Sequence, residues 1–241
     1  MLLLFISAAM VAEADARLTG TLSSPGMDPA LTQAALLVVL AYLAGSIPMG
    51  VLVARLSGGV DPRTVGSGRT GGTNALRAMG PARGLTVGLL DIAKGALPIL
   101  VASWAGATPL VAAVVGLAAL LGAWKSVLLH FHGGRGVATG VGGMTAVSVP
   151  VVLIALPVFI GLIALTRYVS LGSLLGTAFG ALVSVVFVVL GWLDAAWLVY
   201  TIPGVAIIWI AHRDNIARLL AGTERRFDPR ERASASPPPG A

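Results

Sequence analysis

The chain has 241 residues, of which 56% are hydrophobic and 11% charged, with no cysteine and a formal net charge of +6, and its mean hydropathy is +0.91. Against the roughly 25% charged residues of soluble domains this excludes a water-soluble globule, and the lack of cysteine excludes a disulfide-stapled module, thiolate metal sites and a cysteine nucleophile. What remains is a polytopic membrane protein, in which basic residues first report orientation.

In chain order, residues 1–11 are apolar but too short to span, lack a basic start and run into Glu13, Asp15 and Arg17, a poor signal peptide. Residues 1–30 therefore read as an N-terminal extension, most of which initiation at Met27 would omit. The first run able to cross about 30 Å of hydrocarbon at about 1.5 Å per residue is 31–56. A long loop follows, Val65-Gly66-Ser67-Gly68-Arg69-Thr70-Gly71-Gly72-Thr73-Asn74-Ala75-Leu76-Arg77. Its glycines free the backbone to turn N–H groups inward on an anion, and Ser67, Thr73, Asn74 and Arg77 add donors with no acidic residue among them. A flexible connector is the alternative. The loop is neither a Walker A loop nor a dinucleotide fingerprint, since no Gly-Lys-Ser/Thr and no βαβ pattern accompany it.

The second run, 84–105, contains Asp91 and Lys94 three residues apart, either a functional intramembrane site or a self-neutralised pair. The third, 108–129, leads into His130-Phe131-His132-Gly133-Gly134-Arg135-Gly136-Val137-Ala138-Thr139-Gly140. A glycine turn ahead of a helix start, beside Arg135, suits an anion, although the glycines also permit a tight re-entry between helices. His130 and His132, with no carboxylate nearby in sequence, read as solvated rather than as ligands, so no metal and no cofactor is expected. Residues 137–166 make one long helix or two short ones broken near Pro150, and further runs are 169–190 and 195–211. After the last comes His212-Arg213-Asp214-Asn215-Ile216-Ala217-Arg218, followed by Gly222-Thr223-Glu224. At helical spacing His212 and Asn215 share a face and are the site candidates, whereas Arg218, Arg225 and Arg226 suit lipid headgroups. Residues 228–241, with three consecutive prolines, read as a disordered tail, leaving 31–227 as the membrane domain.

The positive-inside rule chooses the span count. If 137–166 crosses twice, every Lys and Arg except Arg17 falls at or near one side. The expectation is an all-α polytopic membrane protein of seven transmembrane helices, the fourth and fifth short, with the N-terminus outside and the C-terminus cytoplasmic.

Taken in order, Gly45-Ser46-Ile47-Pro48, Gly66-Ser67-Gly68 through Gly72-Thr73-Asn74 and Arg77, Gly133-Gly134-Arg135-Gly136-Val137-Ala138-Thr139, and His212-Arg213-Asp214-Asn215 with Gly222-Thr223-Glu224 resemble the bacterial acyl-phosphate:glycerol-3-phosphate acyltransferases of the PlsY type. The resemblance implies an inner-membrane enzyme that moves a fatty acyl group from acyl phosphate to the 1-hydroxyl of glycerol 3-phosphate, giving lysophosphatidic acid and phosphate, the first step of phospholipid biosynthesis. It implies catalytic roles for Ser67, Arg77, His212 and Asn215. It also implies phosphate contacts from Gly66, Gly68, Thr73, Asn74, Gly133, Gly134, Arg135, Gly136 and Thr139, with the motifs facing the cytoplasm. His212 is then a candidate acceptor of the hydroxyl proton, at an ordinary pKa of about 6.5. The chain departs from the family pattern at Arg69, usually Asn, at Gly122-Ala123-Trp124-Lys125-Ser126, usually Gly-His-x-Phe-Pro, at His132 and Arg135, usually lysines, and at Asp214, usually Glu.

The expected partners are acyl phosphate, glycerol 3-phosphate and membrane lipids, with a monomer as the working unit. Two other readings compete: a non-catalytic relative that binds acyl phosphate or phospholipid, and a small transporter of a phosphorylated compound. The transporter is disfavoured because the polar motifs gather at one interface and no inverted repeat is visible. Nucleic acid is not expected, there being no soluble domain to carry the charge.

Overall fold

The computed structural model describes residues 28–228. The expected extension before Asp28 and the tail beyond Asp228 lie outside the described residues. Ten α-helices are found among them: α1 (Pro29–Ser46), α2 (Met49–Leu56), α3 (Gly72–Met79), α4 (Pro81–Trp104), α5 (Pro109–Trp124), α6 (Val137–Val147), α7 (Val149–Thr166), α8 (Val169–Val189), α9 (Leu198–Ala211) and α10 (Arg213–Leu220).

Proline and small polar residues set the boundaries. Pro81, Pro109 and Pro150 stand in first turns, where a missing N–H leaves no bond unmade, and the Thr108 hydroxyl accepts the Val111 N–H at 3.4 Å to cap α5. The first expected span is interrupted, since α1 stops at Ser46 and α2 restarts at Met49 past Pro48. Residues 137–166 do form two helices, meeting at the extended Ser148 just before Pro150. The division is uneven, 11 residues against 18, so only the fourth expected span is short and the fifth is of crossing length.

Five helices are long and apolar enough to cross a membrane: α1, α4, α5 with its 3-10 extension to Leu129, α7 and α8. Ala195–Ala211 with α10 makes a sixth, bent by 60°. The bend falls where composition changes, α9 being apolar and α10 amphipathic and charged.

The centre of the bundle is built from Ile99, Leu117, Leu120, Met144, Val151, Val183, Tyr200 and Ile208, while large apolar side chains such as Leu153, Ile160, Leu165 and Leu182 point outward, as a lipid-facing surface requires. Helix α6 lies tight along α4. A Cβ at Gly95 would overlap the Thr139 carbonyl and one at Gly142 the Ile92 carbonyl, so glycine on both sides lets the two backbones touch. The Tyr200 hydroxyl donates to the Gly140 carbonyl at 2.8 Å and fixes α9 to α6.

Candidate active site

All three polar motifs converge on one cavity of about 1140 Å³. Its mouth is polar, lined by Gly66, Ser67, Arg69, Thr73, Asn74 and Arg77 from the first motif, Gly134, Arg135, Gly136 and Thr139 from the second, and His212, Asp214, Asn215 and Arg218 from the third. The cavity continues as an apolar arm between α6, α7, α8 and α9, past Met144, Val151, Phe159, Ile163, Gly180 and Val205. Gly68 and Gly133, expected to contact phosphate, lie off its wall.

The first loop is pinned by one side chain. Asn74, 3% exposed, donates its amide to the carbonyls of Pro62, Val65 and Arg69 at 2.5, 3.1 and 2.8 Å and accepts the Ser67 N–H at 3.1 Å. The sequence reading assigned Asn74 to phosphate; the structure commits both its amide hydrogens to the loop. Gly66 is required beside it, because its φ of +58° is left-handed and a Cβ there would overlap Asn74 Oδ1. Ser67 and Arg77 are thereby held at the cavity wall, Arg77 from the last turn of α3.

In the second loop the N–H groups of Gly133 and Gly134 donate to the carbonyls of Trp124 at 3.1 Å and Ala123 at 2.9 Å. They close the end of α5, which satisfies its orphan carbonyls, and so are not free for an anion, contrary to the expectation from sequence. The anion-facing part starts one residue later. Arg135 stands before Gly136, the left-handed N-cap of α6, where the first N–H groups of the helix lack intrahelical acceptors. Arg135 Nε is buried without a hydrogen-bond partner among the described residues. Burial, with Arg69 nearby, lowers its pKa to about 10, which leaves it cationic at neutral pH.

In the third motif His212, the first residue beyond α9, is 2% exposed. Its Nδ1 lies 2.8 Å from the Ile208 carbonyl, which can only accept, so Nδ1 carries the proton and Nε2 the lone pair. Burial lowers its pKa to about 4, against the Ile208 hydrogen bond and with help from Arg135, so the ring is neutral at neutral pH. Asn215 Nδ2 donates to Glu224 Oε1 at 2.6 Å, and its buried Oδ1 has no hydrogen-bond partner among the described residues.

Sequence reasoning gave no site role to four lining residues, Glu224, Arg69, Arg218 and Arg225. Glu224 accepts from Ser170 Oγ at 2.7 Å, Asn215 Nδ2 at 2.6 Å and Arg218 Nε at 2.8 Å; burial raises its pKa, but these bonds outweigh it and leave the carboxyl below its ordinary value. Arg69 donates to the Gly133 carbonyl at 3.3 Å and sits 3.8 Å from the Asp214 carboxylate, joining all three motifs. Arg218 and Arg225, assigned to lipid from sequence, line the cavity, whereas Arg226 lies over the Tyr168 ring. The signal for Arg69 and Asp214 was present, since both depart from the pattern the chain resembles. His130 and His132 are exposed, and no group of three or more metal-binding side chains occurs among the described residues.

Comparison with known proteins bears on this arrangement. The family model described as glycerol-3-phosphate acyltransferase matches residues 35–222. The chain is 46% identical over 193 residues to the glycerol-3-phosphate acyltransferase of Geobacter sulfurreducens, covering 80% of this chain and 96% of the relative. It is 44% identical over 206 residues to one from Thermus thermophilus, covering 85% of this chain and the whole relative. Among solved structures it is similar to PlsY (YgiH), an integral membrane glycerol 3-phosphate acyltransferase. The glycerol 3-phosphate form gives TM-score 0.75 at 42% identity, with 81% of this chain and 96% of that one covered. The lysophosphatidic acid form gives 0.74 at 40% identity, with 83% and 97% covered.

Proposed function

This chain belongs to the glycerol-3-phosphate acyltransferase family, and we propose that it transfers a fatty acyl group from acyl phosphate to the 1-hydroxyl of glycerol 3-phosphate, releasing lysophosphatidic acid and inorganic phosphate. The observation that carries the reading is the two-part cavity, a mouth lined by Arg69, Arg77, Arg135 and Arg218 opening into an apolar arm. An acyl phosphate has that same division, an anionic head and an apolar chain.

Both substrates carry phosphate, so two anion sites are needed. Arg77, from the last turn of α3, serves one, and Arg135, beside the start of α6, the other, each able to make paired charge-assisted bonds. Acyl phosphate carries its own leaving group and calls for no protein nucleophile. The glycerol hydroxyl oxygen attacks the acyl carbonyl carbon, the carbon–oxygen bond to phosphate breaks, and the hydroxyl proton ends on the released phosphate. The protein's part is to orient the hydroxyl and stabilise developing negative charge. Asn215 Oδ1 is placed to accept a hydrogen bond from the hydroxyl. His212 Nε2 is the candidate transient proton acceptor, its basicity raised by the negative charge of two bound phosphates.

Five helices are of crossing length and the bent α9–α10 pair makes a sixth; counting the 11-residue α6 as the seventh is our reading, supported by the charge distribution, which would also put the mouth and the C-terminus on the cytoplasmic side. One chain is taken as the working unit, because the three motifs close on a cavity within it.

Purified protein is given palmitoyl phosphate and glycerol 3-phosphate, and phosphate and lysophosphatidic acid are measured. Equimolar release of the two is expected. Tight palmitoyl phosphate binding with no release above a blank would favour the non-catalytic reading.

A further inference from the structure

The helix break between α1 and α2 frees backbone carbonyls. Val51 and Leu52 both donate their N–H to Pro48, so the Ile47 carbonyl has lost its helical donor. Lys94 Nζ, from α4, donates to it at 3.0 Å. Asp91 Oδ1 lies 2.8 Å from the same ammonium, one turn away on α4, and the two side chains are only 11% and 9% exposed. The neighbouring carbonyl, that of Ser46, is taken by the buried Ser126 hydroxyl at 2.6 Å. Two carbonyls opened by one break are thus closed by side chains from two other parts of the bundle, where leaving them bare in a dry interior is costly.

Lys94 sits where the two glycine loops are anchored. On one side of it, Gly50 of α2 packs under the Thr70 carbonyl of the first loop; on the other, Gly95 packs on the Thr139 carbonyl at the start of α6. Lys94 and Asp91 also line the cavity. We propose that the Asp91–Lys94 pair is a positioning pair for acyl transfer: Lys94 ties the α1–α2 break to α4 and so sets the distance between the first loop and the α6 N-terminus, while Asp91 neutralises the buried ammonium. This rests on the function proposed above, with the catalytic groups themselves elsewhere. Of the two readings left open by spacing alone, the pair serves function through its self-neutralised geometry.

The test uses the absence of native cysteine. Lys94→Cys raises KM for glycerol 3-phosphate at least tenfold with kcat within about threefold of wild type, and weakens glycerol 3-phosphate binding, read by calorimetry, to match. Treatment with 2-bromoethylamine, verified by mass spectrometry, rebuilds a lysine-length ammonium and returns KM to within about threefold. In Asp91→Asn/Lys94→Cys, iodoacetamide rebuilds a neutral amide donor of the same length, and it restores KM as well, since the bond to Ile47 and not the charge is what counts. Restoration by the ammonium alone would mean that Lys94 acts on substrate by charge, and would overturn the proposal, as would wild-type KM in Lys94→Cys. Should Lys94→Cys fail to fold, Ser126→Ala removes the second strut from a residue off the cavity wall. It is expected to raise KM at least threefold without lowering kcat, and an unchanged KM overturns the proposal equally. A wild-type protein without turnover refutes the function alone, because the binding shifts are still read.

Discussion

Replacing Asn74 by alanine removes two amide hydrogens shared among three loop carbonyls and the acceptor of the Ser67 N–H. At about 1 kcal/mol net per hydrogen bond, three hydrogen-bond equivalents make the closed loop about 3 kcal/mol less favourable. The substitution leaves no charge behind, so the energy is lost from the order of residues 61–71 rather than from the bundle. At about 1.4 kcal/mol per tenfold, kcat/KM for glycerol 3-phosphate should fall by about two orders of magnitude. Hydrogen exchange in the detergent-solubilised protein should show the Ser67 amide and its neighbours losing protection, with protection in α4 and α5 unchanged. If Asn74→Ala keeps full loop protection and changes only KM for one substrate, Asn74 contacts phosphate directly, and the reasoning that made it a loop clamp is wrong.

Gly66→Ala is expected to damage activity at least tenfold more than Gly68→Ala: both positions are left-handed, but only at Gly66 does a Cβ overlap Asn74, while at Gly68 the nearest atom is 3.6 Å away. Stability in detergent should be flat above pH about 6.5 and fall as pH is lowered toward 4, because His212 stays neutral in the fold until about 4 while the unfolded chain protonates it near 6.5. Glu224, with a lowered pKa, adds acid lability of the same sign, and thermal unfolding across pH 4–8 in wild type and His212→Gln separates the two contributions. Gly180→Leu should shorten the preferred acyl chain in competition between C16 and C10 acyl phosphates, since Gly180 lines the apolar arm with the Ala155 side chain 3.5 Å from an added Cβ; an unaltered preference would place the chain elsewhere.

Much of the site was legible because its residue types are informative on their own. Ser67, Arg77, Arg135, His212 and Asn215 were named from glycine density, donor content and the order of the motifs, and all five line the cavity. What failed was the assignment of partners. The Gly133 and Gly134 amides looked available for phosphate but end α5, and Asn74 looked like a ligand but holds its own loop. Glu224 was visible only as the end of the third motif and its role was not, because its three bonds come from Ser170, Asn215 and Arg218, and the Ser170 bond joins residues 54 apart in the chain.

The membrane class, the apolar runs and the gathering of arginine and glycine into three motifs could all be read from the residues alone, since hydropathy and charge are local counts that survive without contacts. So could the break near Pro150, because proline acts through its own missing N–H. Which donor meets which acceptor emerged only from the packed bundle: Lys94 closes the break at Ile47, Arg69 reaches both Gly133 and Asp214, and α6 lies against α4. A buried polar group is stable only with a partner, and in a bundle that partner stands on another helix, at a sequence distance no local pattern encodes.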